Sequence, residues 1–243
     1  MIDIEEKTVA EVVAQNIKTA HVFKKYGIDF CCGGNVGIKE VCDKKQVNYT
    51  SLKDELQHVD DVQSREQDYN RWELDFLTDY IINTHHSYVE ESMPIMLQYA
   101  NKVAKVHGKH APEVVEINKL VSDIVEELTQ HMKKEEEILF PLVKDMVNIM
   151  KNGDKTVSFH CGSLNNPIRV MEIEHENAGD VFKKIAELSN NYQPPEWACN
   201  TYRALYAKLE EFEQDLHQHI HLENNILFPK AVVMEEEMIA RFN

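Results

Sequence analysis

Past residue 70 the chain places apolar residues three and four positions apart over long distances. One stripe runs Ile117, Val121, Ile124, Leu128, His131, Glu135, Ile138, Leu142. A second runs Ile168, Met171, His175, Ala178, Phe182, Ile185, and a third Tyr202, Leu205, Leu209, Phe212, Leu216, His219, Glu223, Ile226. Such spacing keeps each set on one helix face. It predicts a helix from about Pro112, a residue suited to a first helical turn, to Lys151 with Gly153 as its stop; another begins near Pro167, and a last one carries the third stripe. An earlier helix has two candidate inward faces: Leu74, Leu77, Ile81 and Tyr88 go with His85, while Ile82, Val89 and Met93 go with His86. Periodicity does not choose between them. Four long amphipathic helices make residues 71–243 an all-α four-helix bundle.

Residues 1–58 predict a smaller helical domain. Val9, Val12, Val13 and Ile17 share one face, and Thr19 is placed to cap a short helix closed by Gly27. Ile38, Val41 and Cys42 predict another helix, and Ser51 to His58 a last one. Residues 59–70 are polar, acidic and without period, the composition of an interdomain linker. With only 8 glycines and 7 prolines in 243 residues, few helix breakers are available anywhere.

The net charge of −16 repels phosphate backbones and anionic lipid, which argues against nucleic acid or a membrane surface as partner. No apolar run approaches the roughly 20 residues of a membrane span. The start MIDIEEKT lacks a basic region and an apolar signal core, so a cytoplasmic location is expected. Five cysteines, two of them adjacent at Cys31 and Cys32, are not the paired set of a secreted disulfide scaffold; free thiols are expected.

The inward stripes carry residues that do not belong in an apolar core. A buried His or Glu loses hydration worth several kcal/mol unless something binds it. Here the His-x-x-x-Glu pair occurs twice, in HMKKEEEILFP (131–141) and HIHLENNILFP (219–229), at an offset of 88 residues. A further histidine precedes each pair at nearly equal distance, His86 by 45 residues and His175 by 44. Four imidazoles and two carboxylates exceed what one zinc ion needs and suit two metals, each with two imidazoles and shared carboxylates; nitrogen and oxygen donors without thiolate favour iron. His217 and His221 fall off the stripe and are expected to face solvent or to support the ligands. His160 and Cys161 lie in a loop, and Cys199, near a helix start, is expected to be structural.

The segment DFCCGG, followed by HMKKEEEILFP, VMEIEHENAG and HIHLENNILFP, resembles the iron-sulfur cluster repair di-iron proteins, the Repair of Iron Centres family, over essentially the whole chain. The resemblance implies a hemerythrin-like up-down bundle whose first ligand lies eight residues before a proline, which selects His86, ahead of Pro94, over His85. The implied metal ligands are His86, His131, Glu135, His175, His219 and Glu223, holding two non-haem irons under an oxo or hydroxo bridge. The implied function is repair of iron-sulfur clusters damaged by nitrosative or oxidative stress, by iron donation, with damaged iron-sulfur proteins as partners. Reduction of nitric oxide at the di-iron centre, or sensing or carriage of nitric oxide or O2, are the alternatives; a homodimer is left open. Cys31 and Cys32, just ahead of a helix, are expected to have lowered thiol pKa values and to act as the catalytic pair in repair.

Overall fold

The computed structural model describes residues 4, 6–59, 69–153 and 163–242. The expected linker therefore falls largely outside the described residues, and His160 and Cys161 fall wholly outside them. Among the described residues the secondary structure is helical, with one isolated antiparallel bridge between Thr8 and Gly37. Two units are distinguished, Met1–Leu77 together with His217–Asn243, and Thr78–Leu216.

In the first unit, α1 (Val9–Gln15), α2 (Thr19–Lys25), α3 (Ile38–Lys45) and α4 (Tyr49–His58) enclose Val9, Val12, Val22, Phe23, Ile38 and Leu52. Helix α1 starts on a capping box: Glu11 N donates to Thr8 Oγ1 at 3.1 Å, and Thr8 N donates to Glu11 Oε2 at 2.7 Å. It ends at Gln15, so Ile17 lies beyond its face and is only half-buried. Thr19 is not a cap either. Lys18 holds that position, and the Thr19 hydroxyl donates to the Asn16 carbonyl. Gly27, at φ 65°, closes α2 as its lack of a side chain allows.

The turn between α2 and α3 is built on Asp29, whose carboxylate accepts from Cys31 N at 2.8 Å and Gly33 N at 2.9 Å. Gly34 then passes close to α1, its carbonyl accepting from Ala10 N at 2.8 Å. A methyl group on Gly34 would lie 2.5 Å from the Phe30 carbonyl oxygen and 2.9 Å from Ala10 Cβ. Gly34→Ala should therefore destabilise this unit by about 1–3 kcal/mol, because backbone rather than a side-chain tip must move. A urea titration of the variant against the parent protein checks this, and an unchanged midpoint would show that the turn can yield.

Past a single 3-10 turn at Tyr69–Arg71, the bundle helices are α5 (Leu74–Tyr80) with α6 (Ser87–His107), α7 (Glu113–Lys134) with α8 (Phe140–Asn152), α9 (Asn165–Leu188), and α10 (Asn200–Leu222) with α11 (Phe228–Phe242). In the Thr78–Leu216 unit α6 lies along α7 and α7 along α9. Pro112 caps α7 and Gly153, at φ 73°, ends α8 as expected, while α9 begins at Asn165, slightly before Pro167. The stripe of α9 is buried throughout.

Three of the four helical rods are interrupted by π turns, at Ile81–His86, Glu135–Leu139 and Glu223–Leu227. There Ser87, Phe140 and Phe228 donate their N–H five residues back, to Ile82, Glu135 and Glu223. One extra residue per turn rotates everything downstream by roughly 100°. The expected stripe fails accordingly beyond Glu135: Ile138 is 52% exposed while Leu139 is 1% exposed, and Phe140 and Val143 line the core. The same shift joins the two faces of the first rod. Leu74, Leu77 and Ile81 lead by a step of five to His86, then to Val89, Met93, Met96, Ala100 and Val103, all buried. Pro141 and Pro229 follow two of these turns closely; lacking an N–H and crowding the carbonyl four residues back, they favour a widened backbone just upstream.

Candidate metal centre

The π turns sit where the ligand-type side chains sit. In the Thr78–Leu216 unit, His86, His131, Glu135 and His175 are buried. His86 Nε2 lies 3.4 Å and His131 Nε2 3.3 Å from Glu135 Oε2, and His175 Nε2 lies 4.0 Å from Glu135 Oε1. The Nε2 atoms of His131 and His175 are 3.0 Å apart. One ligand atom each of His131, Glu135 and His175 lies within 4.8 Å of the others, a buried group able to bind a metal ion.

The outer nitrogens fix the chemistry of the inner ones. His86 Nδ1 lies 2.7 Å from Glu136 Oε1 and His131 Nδ1 2.9 Å from Glu174 Oε2. A carboxylate beside Nδ1 favours the hydrogen there, which suits each Nε2, facing the oxygens of Glu135, to donate its lone pair to a metal. Lone pairs converging on a carboxylate repel one another unless a cation lies between them, and this is the arrangement a metal ligand needs. The carboxyl of Glu174 is pushed down to about 2, first by its hydrogen bond with His131 and then by Lys134, which also bonds it. Phe140 stacks on the His86 ring with centroids 5.6 Å apart, which accounts for one aromatic position of the repeated motif.

Glu136 and Glu174 were not anticipated from the sequence, though each adjoins a ligand-type residue in the chain, Glu135 and His175 respectively. His85, the competitor of His86, is also buried; its Nδ1 lies 3.0 Å from Asp215 Oδ1. A cavity of 560 Å³ opens beside His131 and His175 and is lined by Asp123, Glu126, Glu127 and Glu174 among others.

His219 and Glu223 belong to the other unit, whose border with the bundle body falls after Leu216 in α10. Both are buried, with His219 Nε2 3.0 Å from Glu223 Oε1. The pair thus repeats the contact of His131 with Glu135. His221 does not face solvent: it is fully buried, its pKa pushed down to about 4 by that burial.

The family described as the hemerythrin HHE cation binding domain matches residues 77–231, and a domain of unknown function matches residues 5–60. The iron-sulfur cluster repair protein YtfE of Yersinia pseudotuberculosis serotype IB (strain PB1/+) is 34% identical over 231 residues, which is 95% of this chain and 99% of that protein. The YtfE of Yersinia pestis (strain Pestoides F) is 34% identical over the same share of each chain. The chain belongs to the iron-sulfur cluster repair family. Its fold is that of the family: an all-α chain in which a small N-terminal helical domain precedes a hemerythrin-like up-down four-helix bundle.

The thiol pair departs from expectation. Cys31 is 5% exposed and Cys32 half-buried. The Cys31 Sγ donates to Asp29 Oδ1 at 3.2 Å, and its pKa is raised rather than lowered, first by its hydrogen bond with Cys32, then by burial and the charge of Asp29. The helix that follows starts only at Ile38, too far along the chain for its first turn to act on this thiol. Cys199 is exposed, not a core residue, with Sγ 3.3 Å from His107 Nε2.

Proposed function

We propose that this protein repairs iron-sulfur clusters damaged by nitrosative or oxidative stress, drawing on two irons held by His86, His131, Glu135, His175, His219 and Glu223. The observation that carries the reading is the convergence of three imidazole Nε2 atoms on Glu135, with Glu136 and Glu174 fixing the tautomers of His86 and His131. Nitrogen and oxygen donors without thiolate fit iron. Bound there, iron supplies exchangeable ions for rebuilding a damaged cluster.

The chain's own groups divide the remaining work. Glu136 and Glu174 orient the imidazoles and raise their donor strength. The burial of Glu135 and Glu223 excludes bulk water from the donor atoms. The carboxylates of Asp123, Glu126, Glu127 and Glu174 make the adjoining cavity attractive to a cation. A cavity lined by four carboxylates against one ammonium, Lys134, suits a departing cation better than an uncharged gas, which favours donation over nitric oxide reduction. Partners are damaged iron-sulfur proteins. No helix among the described residues is long and apolar enough to cross a membrane, and we place the reaction in the cytoplasm.

Elemental analysis of anaerobically purified protein should return about two irons per chain. A single tightly held zinc would overturn the assignment, and rapid catalytic consumption of nitric oxide with a reductant would move the function to the alternative. His86→Ala should remove at least half of the iron while His85→Ala leaves it near the parent value, because His86 Nε2 approaches Glu135 whereas His85 Nδ1 approaches Asp215. The reverse pattern would transfer the ligand role to His85.

A further inference from the structure

Every polar group of Cys31 is held. Its N–H and its Sγ both donate to Asp29 Oδ1, and its carbonyl accepts from Asn225 Nδ2 at 3.1 Å. Asn225 Nδ2 also lies 3.5 Å from the Phe30 carbonyl and 3.1 Å from His221 Nδ1. His221 in turn approaches the Phe30 carbonyl at 3.4 Å. The Phe30 ring sets its edge against His217, with centroids 5.8 Å apart, and tilts against His221 at 6.1 Å. All of these residues belong to the same unit. The two thiols consequently differ: Cys31 is stored and protonated, and Cys32 is the one within reach of solvent.

Asn225 has a second attachment. It lies within the π turn Glu223–Leu227, two residues after Glu223. The Glu223 carbonyl closes that turn by accepting from Phe228 N. Glu223 and Asn225 share one turn, so a movement of the backbone at Glu223 carries with it the amide that holds the Cys31 carbonyl.

We propose that Asn225 is a positioning residue that couples Glu223 to the exposure of Cys31, with His221 as its support. Metal held on Glu223 keeps the turn in place and Cys31 stored; loss of that metal loosens the turn and releases the second thiol. The assignment rests on the metal reading above for Glu223, and on geometry alone for the latch. It gives the thiol pair an order of use, Cys32 first and Cys31 only after metal has left.

Iodoacetamide alkylation, followed by peptide mapping, tests this on the full-length protein in metal-loaded and chelator-treated forms. In the loaded parent Cys32 should label at least ten times faster than Cys31, and chelation should raise the Cys31 rate at least tenfold. Asn225→Asp keeps the size of the side chain but turns a donor into an acceptor facing two carbonyl oxygens. Cys31 in this variant should label quickly in both forms, with iron content still at the parent level. Asn225→Gln, which retains the donor on a longer arm, should restore part of the protection. A Cys31 rate that ignores Asn225→Asp would overturn the latch itself. Should the latch respond to Asn225→Asp while the parent labels equally fast with and without metal, the coupling to Glu223 is overturned. Iron content measured on the same samples reports separately on the metal reading.

Discussion

Glu135→Ala is expected to leave purification with less than half of the parent's iron, and to melt about 10 °C lower or more. Glu135 is the residue on which the site turns: His86 and His131 both approach its Oε2, and His175 faces its Oε1. Without it three imidazole Nε2 atoms converge on no anion, and affinity for a cation falls steeply. A ligand at a thousandfold excess over its dissociation constant stabilises the folded state by about 4 kcal/mol, and at this domain size each kcal/mol is worth roughly 2–4 °C. Losing the metal alone therefore accounts for the shift, before any cost of the cavity left behind. Glu135→Gln, which keeps one acceptor oxygen and loses the charge, should fall between. Elemental analysis and calorimetry read both quantities. A Glu135→Ala protein with full iron and an unchanged melting point would show that the metal is held elsewhere.

The second large effect is expected from changing both Cys31 and Cys32 to Ser. Recovery of a nitric-oxide-damaged cluster enzyme should drop at least tenfold while iron content stays at the parent level. The two changes should be structurally mild: a serine hydroxyl in place of the Cys31 thiol can still donate to Asp29, and position 32 is partly in solvent. None of the six proposed metal ligands is a cysteine, so the irons have no reason to leave. Loss of iron in the double variant would place the thiolates among the ligands, and undiminished repair would leave the pair a packing role.

Much of this architecture was legible before any coordinates. The repeated His-x-x-x-Glu and the two upstream histidines stood out because imidazoles and carboxylates on an apolar stripe are too costly to be incidental. What could not be read was the winding. A π turn adds one residue without changing composition, so Ile138 was assigned to the core and His85 could not be separated from His86 by periodicity. The available hint was the proline closing each repeat, Pro141 and Pro229. At the thiol pair the difficulty was of another kind. Sequence placed Cys31 and Cys32 ahead of a helix, but the Cys31 thiol is held protonated by Cys32, by burial and by Asp29, and its loop is held by Asn225 and His221, remote in the chain.

Between His219 and Glu223 five consecutive residues are buried, so this stretch of helix has no face turned to water. His219 and Glu223 occupy one side of it; His221, continued by Asn225 a turn later, is committed to the loop of Phe30 and Cys31 on another; Ile220 and Leu222 fill the space between. Ordinary surface helices drift through generations on their wet side, where one polar residue replaces another at little cost. This segment has no such side, and a saturation scan across it should find almost no position where change is neutral. Thiol handling and metal release are therefore expected to be adjustable through what surrounds these residues, not through the residues themselves.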